Sequence, residues 1–307
     1  MVDDDFAAYR HELLVHCYRM LGSVHEAEDL VQETMLRAWR ARDRYDPALS
    51  SVRTWLYKIA TNACLTWLRG RARRPLPSGL GGPSDDPGAP LTPSLDVPWL
   101  QPLPDDPAAR AVRRGGLRLA LIAAMQVLPP KQRAVLILRD VLEFSAAEVA
   151  NLLETSPAAV NSALQRARAG VSGVAPEEEI TEPDDPAVSA VLDRYITSFE
   201  AADVEGLVAL LTDDAVLEMP PVPLWYRGKR DYGRFMERVF GMHGNGWRML
   251  RTTANAQPAA IAYNLTEGTY KLHTLQVFTI TPKGIARNVV FQDPAVFSAF
   301  GLPAILE

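Results

Sequence analysis

The chain of 307 residues is 48% hydrophobic and carries a formal charge of −5, enough apolar content for two or three domains with separate cores. Its two cysteines, Cys17 and Cys64, sit in apolar helical patterns without a CxxC or clustered histidines, which argues against a disulfide framework and a zinc site, so no metal and no cofactor is expected. The acidic start MVDDDF lacks signal-peptide features and no apolar run approaches the ~20 residues of a membrane span. A cytoplasmic protein without a membrane partner is predicted.

The net charge averages unlike parts. Residues 176–307 hold 18 acids and 11 basic residues, leaving 19 acids and 21 basic residues for the remainder. Two stretches of that remainder, 51–74 with six basic residues and 107–139 with seven, contain no acid. Acid-free basic stretches favour a polyanion as partner.

Taken in chain order, DLVQETMLRAW (29–39) reads as an amphipathic helix. Leu30, Val31, Thr34, Met35, Ala38 and Trp39 fill the apolar arc, and Asp29, Gln32, Glu33, Arg37 and Arg40 the polar one. Leu36 falls in the middle of the polar arc, where a core role does not explain it. In the next helical pattern, SSVRTWLYKIATNACLTWLRGRARR (50–74), Val52, Trp55, Leu56, Ile59, Ala63 and Trp67 share the predicted core face. Tyr57, Lys58, Thr61, Asn62 and Arg69 lie off it, ahead of Arg71, Arg73 and Arg74. Aromatic and amide groups beside cations suit single-stranded DNA, where bases stack and the backbone is neutralised. For Tyr57, a half-buried packing role is an equal alternative.

Residues 75–109, rich in proline and glycine, have no helical period and read as a linker. Its apolar segment WLQPLP, with Trp99 and Leu100, predicts a docking contact. In FSAAEVANLLETSPAAVNSALQRARAG (144–170), Ser145 and Glu148 form a capping box. Ser156 then caps a second helix whose first turn holds Pro157. Two short helices joined by a tight turn make a helix-turn-helix. Val160, Ala163, Leu164 and Ala167 form the second helix's buried arc; Ala158, Asn161, Ser162, Gln165 and Arg166 face out, flanked by Arg168. Amides and guanidinium groups at such positions read base edges or hold phosphate. An αα-hairpin within a bundle is the bland alternative. A second linker, acidic, covers 174–186. Residues 187–307 then give helices, a strand DAVLEMP, a further helix near 231–240 and strands from 247 to 291, an α+β order.

Together, the 29–39 helix, RTWLYKIATNACLTWLRGRARR and LPPKQRAVLILRDVLEFSAAEVANLLETSPAAVNSALQRARAG resemble the two sigma domains of an extracytoplasmic-function sigma factor of bacterial RNA polymerase. The run SFEAADVEGLVALLTDDAVLEMPP with WYRGKRDYGRFM resembles the SnoaL-like group of the NTF2-like cone fold. The resemblance implies a multidomain protein. A sigma domain at 1–74 would bind core polymerase and the −10 element, and a helix-turn-helix sigma domain at 110–173 the −35 element. A SnoaL-like regulatory domain would follow at 187–307.

The resemblance further implies that Asp29, Gln32, Glu33 and Leu36 dock on core RNA polymerase, with Leu36 as an apolar anchor in a polar rim. Tyr57, Asn62 and the loop 44–50 would hold a flipped base of the −10 element, with Lys58, Arg69, Arg71, Arg73 and Arg74 beside it. Pro157, Ala158, Asn161, Ser162, Gln165, Arg166 and Arg168 would read or hold the −35 element of promoter DNA. The family commonly places basic residues where Asn161 and Ala163 stand, which implies fewer phosphate contacts or a different −35 sequence. WLQPLP resembles the linker motif of one subgroup with such an extension, and Trp99 and Leu100 would make its interdomain contact.

For the third domain three readings stand: a packing module that regulates in cis, a small-molecule sensor, and an isomerase- or cyclase-like enzyme. Asp214, Glu218, Asp231, Asp293, Tyr226, Tyr263, Tyr270 and His273 are the available acid–base groups, and their spacing picks out no pair. A non-enzymatic domain is expected.

Overall fold

The computed structural model describes residues 6–105, 117–172 and 185–306. Arg110, Arg113 and Arg114 of the second basic stretch, and most of the acidic linker, lie outside them. The chain forms two compact units: residues 1–74 with 106–176, and residues 75–105 with 177–307.

The first unit is helical. Helix α1 (Arg10–Leu21) ends on Gly22 at φ 71°, whose N–H returns to Tyr18 O at 2.7 Å. That left-handed turn is one glycine adopts freely. Ser23 caps α2 (Val24–Ala41) and Ser51 caps α3 (Val52–Trp67), each accepting from the N–H three residues on. In the second sigma-like module, α4 (Leu119–Val127) leads to α5 (Pro130–Leu136), which runs into a π turn at Ile137–Val141. Helices α6 (Ala146–Leu152) and α7 (Pro157–Ser172) make the helix-turn-helix, and the capping box of Ser145 and Glu148 is present.

Both modules share one core. Arg133 of α5 is 2% exposed and bonds Met20 O at the end of α1, Gln126 Oε1 (2.7 Å), Gln126 O (3.0 Å) and Leu128 O (3.2 Å). Arg133 therefore satisfies carbonyls instead of offering charge to a polyanion. Burial brings its pKa down to about 10.

In the second unit, α8 (Pro186–Glu200), α9 (Val204–Ala209) and α10 (Lys229–His243) pack on a seven-stranded sheet. The strands are β1 (Leu211–Glu218), β2 (Trp225–Arg227), β3 (Trp247–Ala254), β4 (Gln257–Thr266), β5 (Thr269–Thr281), β6 (Gly284–Phe291) and β7 (Ile305–Leu306). Their order is β2-β1-β6-β5-β4-β3, with β7 on β5. Only β1 and β6 pair in parallel among the described strands. Gly284 opens β6 at φ 128°, and a Cβ there would lie 2.5 Å from Leu210 O, so both backbone angle and space require glycine. Tyr195, Phe199, Tyr232, Phe235 and Phe278 fill the core between helices and sheet. A last helix, α11 (Pro294–Ala299), is capped by Asp293.

Candidate functional site

On α2 the buried set is Val24, Ala27, Leu30, Val31, Thr34 and Ala38, so the opposite face is free to carry function. Asp29 and Gln32 are exposed, Glu33 pairs with Arg37 at 2.7 Å, and Leu36 is 52% exposed. Trp39, assigned to the core arc from the sequence, is instead 50% exposed, with the Arg42 guanidinium 4.5 Å above its ring. It lies at the edge of the arc and three residues from Leu36, so the two side chains are neighbours on one face. The sequence signal was present in the helical angle and was overridden by residue type.

Helix α3 corrects the sequence reading more strongly. Its buried residues are Leu56, Tyr57, Ala60, Thr61, Ala63 and Cys64, while Val52, Trp55, Ile59 and Trp67 are half-buried. Tyr57 is fully buried, its ring 5.0 Å from His16 and 5.4 Å from Phe144, with Arg53 over its face at 4.9 Å. Its hydroxyl donates to Glu12 at 3.4 Å, and burial, followed by the Glu12 charge, raises its pKa. Tyr57 is therefore not a stacking platform in this conformation, because Phe144 of the second module covers it. His16, bonded to Thr61 Oγ1 at 2.9 Å, is held neutral: burial, then Arg19 and Arg53, push its pKa down to about 3.

Of the other residues assigned to the −10 element, Asn62, Arg69, Arg71 and Arg73 are exposed, and Arg71 stacks on Trp67 at 3.8 Å. Lys58 pairs with Glu154 of the second module at 3.3 Å. Arg74 is tied to Glu26 at 2.6 Å with both side chains mostly buried, a structural ion pair. The 44–50 loop is braced by Tyr45 Oη donating to Ser50 O at 3.0 Å and leaves Leu49 83% exposed. It opens onto a cleft whose far wall is Glu148, Asn151 and Leu152 of α6.

Helix α7 presents its outward face as the spacing predicts, while Ala163, read into the buried arc, is half-buried. Val160, Leu164 and Ala167 are buried; Pro157, Ala158, Asn161, Ser162, Gln165 and Arg166 are exposed. Arg168 is exposed but engaged by both oxygens of Asp140, at 2.8 and 2.7 Å.

In the second unit, the supposed free linker is a strap on the cone. Ser78 N–H donates to the buried Glu218 at 2.8 Å, and Glu218 also pairs with Arg287. Trp225 Nε1 donates to Gly81 O at 2.9 Å, and Arg238 to Pro87 O and Ala89 O at 2.7 Å each. At its end, Leu103 N–H donates to Asn255 Oδ1 (2.8 Å), and Asp105 accepts from Ala256 N (2.8 Å). Trp99 and Leu100 are buried, Trp99 donating to Ser94 O at 2.8 Å. These bonds join backbone to scattered side chains, so no periodicity announces them.

The cone holds a narrow cleft, with about 70 Å³ of room for a water-sized sphere, walled by α8, α10, the sheet and Leu91 of the strap. Of the eight acid–base candidates only His273 lines it, and no carboxylate does. Asp214 accepts from Thr212 Oγ1 at 3.1 Å and Asp231 pairs with Arg234; Glu218 holds the strap; Asp293 caps a helix. Tyr226 and Tyr263 donate to backbone carbonyls, of Asp86 and Pro303. The residues missed from sequence are Tyr195, Tyr232, Gln276 and Asn288, a buried hydrogen-bonded group gathered from α8, α10, β5 and β6.

Comparison with known proteins matches residues 6–74 to Sigma-70 region 2, residues 118–169 to Sigma-70 region 4, and residues 192–294 to the SnoaL-like domain. The chain is 46% identical to the ECF RNA polymerase sigma factor SigG of Mycobacterium tuberculosis, over 97% of this chain and 84% of that protein. It is 31% identical to SigJ of the same species, over 79% and 74% of the two chains. The crystal structure of SigJ superposes with a TM-score of 0.68 at 23% identity, covering 99% of this chain and all of that one, a likeness of fold.

Proposed function

The chain belongs to the extracytoplasmic-function sigma factors of bacterial RNA polymerase, and from that premise we propose that it directs core polymerase to a particular set of promoters under control of its own C-terminal cone. The observation that carries this reading is α7, which buries its apolar arc and leaves Asn161, Ser162, Gln165 and Arg166 free for a major groove. On α2, Leu36 and Trp39 form an apolar pair rimmed by Asp29, Gln32 and Glu33, the anatomy of an interface anchor. Polymerase docks there. Asn62, Arg69, Arg71 and Arg73 serve the −10 element, and Tyr57 joins them once Phe144 withdraws. The work is done in the cytoplasm, where polymerase and promoter are found.

Cis control rests on the strap. Free, 31 residues would span up to ~100 Å and let the two sigma modules spread along a promoter. Docked, that length is held on the cone. A second reading, a small-molecule site in the cone, is favoured by its apolar cleft with a polar floor.

Promoter-directed transcription with core polymerase tests the main reading. Full-length protein is expected to select a −35 sequence from a randomised promoter pool. Gln165→Ala and Asn161→Ala are expected to change that sequence, and Trp99→Ala to change the yield. Identical selections for both α7 variants and wild type would reject the assignment of α7.

A further inference from the structure

Strand β5 carries one residue too many where it passes the cone cleft. Ala262 of β4 pairs with Thr274, but the next residue, Tyr263, pairs with Leu272, so His273 is the extra residue of a β-bulge. Side chains alternate along a strand, and with Thr274 and Gln276 lining the cleft a regular β5 would turn His273 to the other side of the sheet. The bulge brings His273 into the cleft lining as well, the kind of re-aimed side chain that bulges supply next to functional sites. There it meets His243, the last residue of α10, with ring centroids 4.6 Å apart.

The two imidazoles are held from several directions. Trp247 packs against both rings, with centroids 5.9 Å from His243 and 5.2 Å from His273. Asn264 Nδ2 donates to the backbone oxygen of His243 at 3.1 Å. The Gln292 side chain lies 3.3 Å from His273 Nε2 and is exposed, so its amide can turn its oxygen to accept from Nε2–H, which leaves the Nδ1 lone pair as a donor to a metal.

Among the described residues no three of His, Cys, Asp and Glu gather as a metal-binding set, so the ligand shell of a structural zinc site is not present there. The cleft offers a softer set. Met242, which precedes His243 and is 49% exposed, lines it beside the two imidazoles, and no carboxylate does. Imidazole and thioether donors without a carboxylate favour Cu(I) over Mg(II), Ca(II) or Mn(II). The room left, about 70 Å³, is far below the ~300 Å³ at which sites for drug-sized molecules begin, and it suffices for an ion.

We propose that His243 and His273 bind Cu(I) in the cone cleft, with Met242 as a third donor. This goes beyond the small-molecule reading of the cone and does not depend on it. Spacing alone pointed to no metal, because donors 30 positions apart meet only through the fold. The ion would fasten the end of α10 to β5, and α10 is the helix whose Arg238 holds the strap at Pro87 and Ala89.

The test is anaerobic titration of the full-length protein with Cu(I) against bicinchoninate, a coloured competing chelator. Wild-type protein is expected to withdraw one equivalent, and His243→Leu and His273→Leu are each expected to lose it. His243 is exposed, so its replacement keeps the result readable if the His273 variant fails to fold. Gln292→Leu is expected to weaken the site about tenfold, and Met242→Leu to remove sulfur from the copper X-ray absorption spectrum. No uptake by wild type would overturn the site. So would an equivalent kept by both histidine variants, as binding to the buried thiols of Cys17 and Cys64 would give. Zn(II) taken up as tightly as Cu(I), and lost in the same variants, would overturn the choice of metal, and a spectrum unaltered by Met242→Leu would overturn the third donor.

Discussion

The two helices assigned to promoter DNA stand in opposite conditions. Helix α7 carries its amides and Arg166 in the open, whereas α3 has its central aromatic, Tyr57, sealed beneath Phe144 and Arg53. The α7 side chains are open to solvent; Tyr57 is used as core. The difference comes from what each helix packs against. Helix α7 lies on α5 and α6 and needs only its apolar arc, while α3 is clamped between α1 and the second module. Tyr57 and the proposed −35 face of α7 are therefore open together only if the modules separate, and the Arg133 and Phe144 contacts are what separation must break.

The largest expected effect follows from Phe144. It is 5% exposed, and Phe144→Ala removes the ring that covers Tyr57. A loss of about 3 kcal/mol in urea unfolding is expected. Tyrosine fluorescence quenching should rise with it, as Tyr57 meets solvent. A folded variant with unchanged stability and quenching would remove the contrast between the two helices.

Next comes the α2 face proposed to meet polymerase, which is exposed. Leu36→Ala is expected to weaken core binding by about 1–3 kcal/mol without changing the unfolding midpoint, and Trp39→Ala to act in the same direction. Equal polymerase affinity for Leu36→Ala and wild type, measured by competition for core, would exclude this face.

The smallest effect is on pH. The folded pKa of His16, at about 3, lies below its unfolded value of 6.5, so only the unfolded chain takes up the proton as pH falls through that interval. The stability that neutral His16 contributes is complete above 6.5 and lost progressively on acidification toward 3. Urea midpoints should fall between pH 7 and pH 4, and His16→Gln should flatten the part of the fall that belongs to the helical unit. His273 has the same sign in the cone, over 6.5 to about 4.

Local rules made much of this legible. The capping box at Ser145, the Ser156 cap and the outward face of α7 are set by neighbours in sequence, and all three appear as read. So does the α+β order of the cone, whose β3–β4 turn at Asn255 and Ala256 adopts positive φ. What escaped was decided by contacts far along the chain. Tyr57 is buried by Phe144, 87 positions later, and the strap is held by Glu218, Trp225 and Arg238 through its backbone, which leaves no trace in side-chain spacing. The cleft floor draws four polar residues from four elements, each of which alone reads as an ordinary strand or helix position.

We propose that the compact helical unit hides Tyr57 of α3 and opens for promoter use. Lys58 and Glu154 face each other across the two modules, 3.3 Å apart, and the native cysteines are buried. Lys58→Cys with Glu154→Cys, bridged by a short bis-maleimide, would hold the modules closed. Promoter-directed transcription by core polymerase with the bridged protein is the measurement. The account predicts that bridging abolishes the transcript while binding to core survives, and that the unbridged double variant still transcribes. A bridged protein that transcribes as well as the unbridged one would contradict it.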